Sequence, residues 1–148
     1  MPGSGPSGLF FAYLLAQAGA APLVIERGGS IEERKAAVER FWKNCILNPN
    51  CNVQFGEGGA GTFSDGKLNT LVKDAAGRNR YVLETFVKFG APAEILYEQK
   101  PHIGTDILAE VIQNMRKEII ALGGEVLFHH QLTEIDEKQK RIQINHKE

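Results

Sequence analysis

Gly3-Ser4-Gly5-Pro6-Ser7-Gly8 reads G-x-G-x-x-G and runs straight into an apolar, helix-forming stretch, residues 9–18. Gly19 follows, then a short strand-like run over residues 22–25, and then Glu26. That order is the dinucleotide-binding fingerprint, and each part has a physical use. Gly3 permits the tight turn, Gly5 lets backbone approach a diphosphate, and Gly8 allows close packing of helix on sheet, with Pro6 and Ser7 inside the same bend. The unpaired N–H groups at a helix start then bind the anion. Glu26 stands at the spacing expected, about 20 residues on, for the acid that meets the ribose hydroxyls. Its charge favours a free 2′-hydroxyl, hence FAD or NAD rather than NADP. An incidental glycine turn is the competing reading. Only Met1 and Pro2 precede the bend, so the strand that should carry it is expected to be missing.

A chain of 148 residues is sized for one domain, and 43% apolar with 24% charged residues suffices for a core. A formal net charge of -1 offers no electrostatic case for nucleic acid or an anionic membrane. The longest apolar stretch, residues 9–18, is too short to span a bilayer, and no basic segment precedes it as in a signal peptide. Cys45 and Cys51 fit neither C-x-x-C nor a zinc spacing. They read as two unpaired thiols in a reducing cytoplasm, with a redox pair as the alternative. No metal site is expected.

Leu9, Phe10, Tyr13, Leu14 and Gln17 mark a helix that Gly19 is placed to stop. Leu23-Val24-Ile25 suits a buried parallel strand. Ser30 with Glu33 predicts a capping box opening a helix from Ile31 to about Trp42. Periodicity then lapses over residues 43–79, a glycine-rich stretch whose phenylalanines favour an ordered functional loop. Helical spacing returns over residues 81–89, with one further turn at residues 92–96. The strongest helix covers residues 105–122, with Thr105 as N-cap and Leu108, Val111, Ile112, Met115, Ile119 and Leu122 as its apolar face. Residues 125–128 and 131–136 read as one long or broken strand, followed by a turn and a last strand over residues 141–145.

Other motifs carry less. Residues 61–67 fit G-x-x-x-x-G-K, but Leu68 stands where a phosphate-binding loop needs a metal-binding hydroxyl. A glycine-rich backbone can instead lie close to a flat ring or a phosphate. His102, in a loop before the long helix, is either a proton-transfer group or an ordinary exposed histidine. His129 and His130 are expected in a strand, facing opposite ways. Glu32, Glu33, Arg34 and Lys35 are expected to form a solvated helix face.

With these residues in place, the chain resembles the bacterial FAD-dependent dehydrogenases within the glutathione-reductase-like flavoprotein superfamily. The resemblance covers nearly all of it. It rests on the glycine turn with Glu26-Arg27-Gly28, on Phe41-Trp42 followed by Leu47-Asn48-Pro49, and on residues 100–106. Its most specific part is residues 52–68, NVQFGEGGAGTFSDGKL. The resemblance implies a partial α/β, Rossmann-like FAD-binding domain over residues 1–148, truncated at both ends relative to the family, with its first strand missing and β-strands at its C-terminal end.

It further implies that Gly3, Gly5, Pro6, Ser7 and Gly8 meet the diphosphate, and that Glu26 meets the adenosine ribose, with Arg27 beside it. Gly58, Gly59, Gly61, Thr62 and Lys67 would approach the diphosphate or the flavin, and Leu132 would offer backbone groups to adenine. Lys67 and His102 are candidates near the flavin ring. The implied activity is flavin-dependent dehydrogenation of a small molecule with NAD(P)H as a candidate electron donor. The alternatives are a non-catalytic nucleotide-binding module and a truncated product without function. With its first strand absent, the chain is expected to leave residues 9–18 poorly backed and to bind FAD weakly.

Overall fold

The long helix α4 (Thr105–Ala121) sets the core, because Leu108, Ala109, Val111, Ile112, Met115 and Ile119 all point inward from it. Opposite stands α1 (Pro6–Gln17), whose buried positions Leu9, Ala12, Tyr13 and Ala16 repeat at i, i+3, i+4 and i+7. Two alanines in that stripe keep its inner face narrow, whereas Leu14, expected on the apolar face, is 47% exposed. Tyr13 meets Phe89 edge-on at 5.2 Å between ring centres. The computed structural model that shows this describes residues 1–68, 74–98 and 100–145.

Among the described residues the fold is mixed α/β, with four α-helices and two two-stranded sheets. After α1 come β1 (Leu23–Ile25), α2 (Ile31–Asn44), α3 (Arg78–Lys88) and then α4. Short 3₁₀ turns occupy Ala60–Phe63 and Ala93–Leu96. The chain closes with β2 (Glu125–Leu127), β3 (Leu132–Asp136) and β4 (Arg141–Ile144). Strand β2 runs parallel to β1, Val24 opposite Val126, while β3 and β4 form a separate antiparallel hairpin. Within the predicted loop over residues 43–79, α2 extends to Asn44, α3 begins at Arg78, and residues 69–73 lie outside the described residues.

The other edge of β1 is not bare. The Met1 ammonium donates to the Leu23 carbonyl at 2.6 Å, Ile25 N–H to the Met1 carbonyl at 2.9 Å, and Gly3 N–H to the Ile25 carbonyl at 2.7 Å. Pro2 thereby forms a parallel bridge with Ile25, so the residues before the bend lie along β1 as the end of a strand would. Helix α1 is also well backed, by α4 and β1, contrary to the expectation from the sequence.

The predicted capping box is present: Glu33 N–H donates to Ser30 Oγ, and Ser30 N–H donates to Glu33 Oε2 at 2.9 Å. The cap of α4 is Gly104 rather than Thr105, with no side-chain cap bond. Of the two readings of residues 125–136, one long strand or a broken one, the broken one holds, because residues between β2 and β3 turn back along β1's exit. His129 N–H donates to the Gly28 carbonyl and His130 N–H to the Glu26 carbonyl. His129 adopts φ 60° there, so the two histidines are not strand residues.

Gly3 sits at φ 91°, and a Cβ on Gly8 would lie 2.1 Å from the Gly3 carbonyl oxygen. That carbonyl belongs to a residue tied down by its own N–H, so it has little room to retreat. Gly8→Ala is therefore expected to cost about 3 kcal/mol in chemical denaturation. Gly5→Ala, where a Cβ meets nothing within 4 Å, is expected to cost under about 1 kcal/mol. Equal losses at the two positions would contradict this packing.

Candidate functional site

Three stretches of backbone converge on the start of α1: the glycine turn, the exit of β1, and the glycine-rich loop around residues 56–59. Glu26, 7% exposed, ties the first two together. Its Oε2 accepts from Ser4 N–H at 2.8 Å and from the Ser4 hydroxyl at 2.9 Å, while Oε1 accepts from Gly28 N–H at 2.8 Å. A carboxylate offers about four acceptor positions, so roughly one is left open.

The third stretch docks backbone to backbone. Gly58 N–H donates to the Ser4 carbonyl at 2.9 Å, and Glu57 N–H donates to the Gly29 carbonyl at 3.0 Å. A Cβ on Gly28 would lie 2.6 Å from the Gly56 Cα, and one on Gly59 would lie 3.1 Å from Pro6 Cδ. Arg27 stacks its guanidinium 4.2 Å from the centre of the Phe55 ring.

Above this junction α1 opens with Pro6 as its first residue and no acidic side chain in its first turn. Its first hydrogen bond runs from Leu9 N–H to the Gly5 carbonyl at 3.0 Å. Among the described residues the N–H groups of Gly5, Ser7 and Gly8 have no acceptor. Unpaired donors at the positive end of a helix dipole form an anion site.

The charged run after β1 is not a uniformly solvated face, because Arg34 is fully buried. Its Nε donates to the Asn52 carbonyl at 2.7 Å, Nη1 to those of Glu57 and Gly59 at 2.6 and 2.7 Å, and Nη2 to that of Val53 at 2.7 Å. The guanidinium also lies 4.6 Å from the centre of the Phe63 ring. One fixed cation thus gathers four carbonyls of a loop that has little regular structure of its own. The signal was available in the sequence: Ile31, Arg34 and Val38 occupy the inward stripe of α2.

Glu57, also fully buried, bridges two helices. Its Oε2 accepts from Ile31 N–H, at the start of α2, at 2.8 Å and from Arg116 Nη1, on α4, at 3.0 Å. Its Oε1 is buried without a partner among the described residues. Burial pushes the Glu57 carboxyl up to about 7, against the opposing pull of the Ile31 N–H and Arg116. Arg116 also holds Glu32 at 2.8 Å; despite partial desolvation, hydrogen bonds from Arg116 and Ser30 bring Glu32 down to about 2.

Lys67 and His102 come together, face to face in an antiparallel bridge, through Asp65. Lys67 Nζ pairs with Asp65 Oδ2 at 2.8 Å, and the His102 ring contacts the Asp65 carbonyl at 2.7 Å through Nε2. Both side chains are exposed and engaged in closing their own loop. Pro6, Gly58, Gly61, Thr62 and Lys67 line one cavity of about 250 Å³ beside the turn. Leu132 opens β3 opposite Ile144, two residues beyond the His130 contact with Glu26.

No family model matches the chain. It is 52% identical over 141 residues to an uncharacterized protein of Clostridium beijerinckii, an alignment covering 95% of this chain and 26% of that protein. The chain thus spans about a quarter of the length of the curated relative it matches. None of the helices formed by the described residues is long and apolar enough to cross a membrane.

The raised Glu57 carboxyl has a pH signature. A group whose folded pKa exceeds its unfolded value stabilises fully below the unfolded pKa and loses that contribution as pH rises through the folded one. Stability is therefore expected to fall between pH 4.5 and about 7, by up to ~3 kcal/mol. Urea denaturation across that range should show the slope in the native sequence and a flatter one in Glu57→Gln. An unchanged slope in the variant would assign it to other groups.

Proposed function

We propose that this chain holds the ADP half of FAD, as the partial Rossmann-like nucleotide-binding part of a flavin-dependent oxidoreductase in the glutathione-reductase-like superfamily. One observation carries the reading. An acid at the end of a parallel strand is hydrogen-bonded into a glycine turn, and that turn feeds a helix whose first N–H groups are unpaired. Dinucleotides bind where the carboxyl ends of parallel strands meet helix starts. The parallel order of residues 1–3, β1 and β2 supports such a sheet.

On this reading Gly3, Gly5, Pro6, Ser7 and Gly8 cradle the diphosphate, and no Cβ projects into it from Gly5. The open acceptor position of Glu26 receives a ribose hydroxyl, and its negative charge repels a 2′-phosphate. Bound FAD would supply hydride or electron transfer, while these residues bind and orient it. Turnover of a small-molecule substrate, with NAD(P)H as electron donor, is proposed for proteins of the relative's full length. His102 and Lys67 take no step in this reading, because His102 Nε2 and Lys67 Nζ are already engaged with Asp65.

Calorimetric titration separates the parts of the cofactor. ADP and FAD are expected to bind with dissociation constants within about tenfold of one another, since both contain the recognised half. 2′-Phospho-ADP is expected to bind at least about tenfold more weakly, a difference of about 1.4 kcal/mol. FMN, which lacks the adenosine diphosphate, should not bind. Failure of ADP to bind, or FMN binding as tightly as FAD, would overturn the assignment.

A further inference from the structure

Glu57 belongs to the stretch that docks on the glycine turn. Its own N–H meets the Gly29 carbonyl, and the next N–H, of Gly58, meets the Ser4 carbonyl. Its carboxyl is fully buried. Oε2 accepts from Ile31 N–H and Arg116 Nη1, whereas Oε1 meets no donor among the described residues. The charged groups facing this carboxyl are Arg116 on α4, Arg34 and Glu32 on α2, and Glu26 at the exit of β1. The two arginines favour its anion and the two acids oppose it. Burial, the largest influence, lifts it to about 7, so the group is close to half ionised at neutral pH.

Glu26 is the informative member of that set. Its carboxylate is bonded to Ser4 N–H inside the glycine turn, and its charge already pushes Glu57 towards the neutral form. A diphosphate at the head of α1 would set further negative charge beside the same turn. Two like charges about 10 Å apart at an effective dielectric of about 20 repel enough to change an affinity roughly tenfold. Protonation relieves that repulsion and leaves the existing bonds in place. A neutral carboxyl keeps Oε2 as acceptor for Ile31 and Arg116 and carries its proton on Oε1, the oxygen that no described donor meets. We propose that nucleotide binding at the glycine turn is proton-linked through Glu57: the carboxyl takes a proton from solvent as the diphosphate binds, so the chain holds nucleotides more tightly below neutral pH than above it. The linkage rests on the nucleotide reading and adds to it a regulation by pH.

ADP-ribose is the probe, because its diphosphate is a diester and does not titrate near neutral pH, as the terminal phosphate of ADP does. Calorimetric titration of the full 148-residue chain is expected to give a dissociation constant that rises about five-fold from pH 6 to pH 8. Titrations of the native chain at pH 7 in Pipes and in imidazole, buffers of different ionisation enthalpy, should show uptake of about 0.4 proton per nucleotide bound. Glu57→Gln, neutral at every pH, should bind as the native chain does at pH 6 and show neither the pH dependence nor the uptake. Arg116→Gln, which removes a cation that favours the anion, should move the uptake and the weakening to higher pH. The linkage is overturned if ADP-ribose binds equally at pH 6 and pH 8, if the native chain takes up no proton, or if both effects persist in Glu57→Gln, which would assign them to another group. Absence of ADP-ribose binding at either pH would instead overturn the nucleotide reading, and the linkage with it.

Discussion

Glu26 reaching back to Ser4 and Gly28 is the interaction on which the rest of the structure depends. It fixes the exit of β1 against the glycine turn, and the turn in turn fixes where α1 begins. The Gly3 carbonyl then lies so close to Gly8 that no side chain fits there. Polar groups buried at this junction are nearly all paired, which is what makes a bend of so little side-chain mass rigid. The donors left over among the described residues, at Gly5, Ser7 and Gly8, are N–H groups at the start of a helix, the kind of place where anions bind.

A second constraint acts on the central loop. Glycine-rich backbone loses much conformational entropy on ordering, so its shape needs an outside template. Arg34 supplies one by donating to the carbonyls of Asn52, Val53, Glu57 and Gly59 from a fully buried position. Desolvating a guanidinium is costly, and the bonds to four carbonyls with Phe63 beneath offset that cost. Glu57 repeats the device with opposite charge, joining the first N–H of α2 to Arg116 of α4. The loop is therefore held against the glycine turn by Arg34 and Glu57, both fully buried.

What the sequence disclosed and what it withheld divide along locality. The capping box at Ser30 and Glu33, the strand Leu23–Ile25, and the buried stripe of α4 from Leu108 to Ile119 rest on residues within a few positions of one another and are present, but Leu122, beyond the end of α4, is 41% exposed and Leu23, at the strand's start, 39%. The burial of Arg34 is legible in its spacing from Ile31 and Val38, but the four carbonyls it meets, 18 to 25 positions away in the loop, are not. The break between β2 and β3 has the same origin: His129 and His130 are bonded to Gly28 and Glu26, a contact that local patterning does not register. The geometry of the glycine turn was legible in outline, including the acid that faces it. The union of Lys67, His102 and Asp65 was not, since it needs two loops to meet.

If the unpaired backbone at the head of α1 is a diphosphate cradle, ADP must bind against those N–H groups. Backbone amide NMR of the chain titrated with ADP tests it most directly. The largest shifts are expected at the amides of Gly5, Ser7 and Gly8, with smaller ones at Ser4 and Gly28 as the Glu26 carboxylate adjusts. Saturable shifts that leave Gly5, Ser7 and Gly8 unmoved would contradict it.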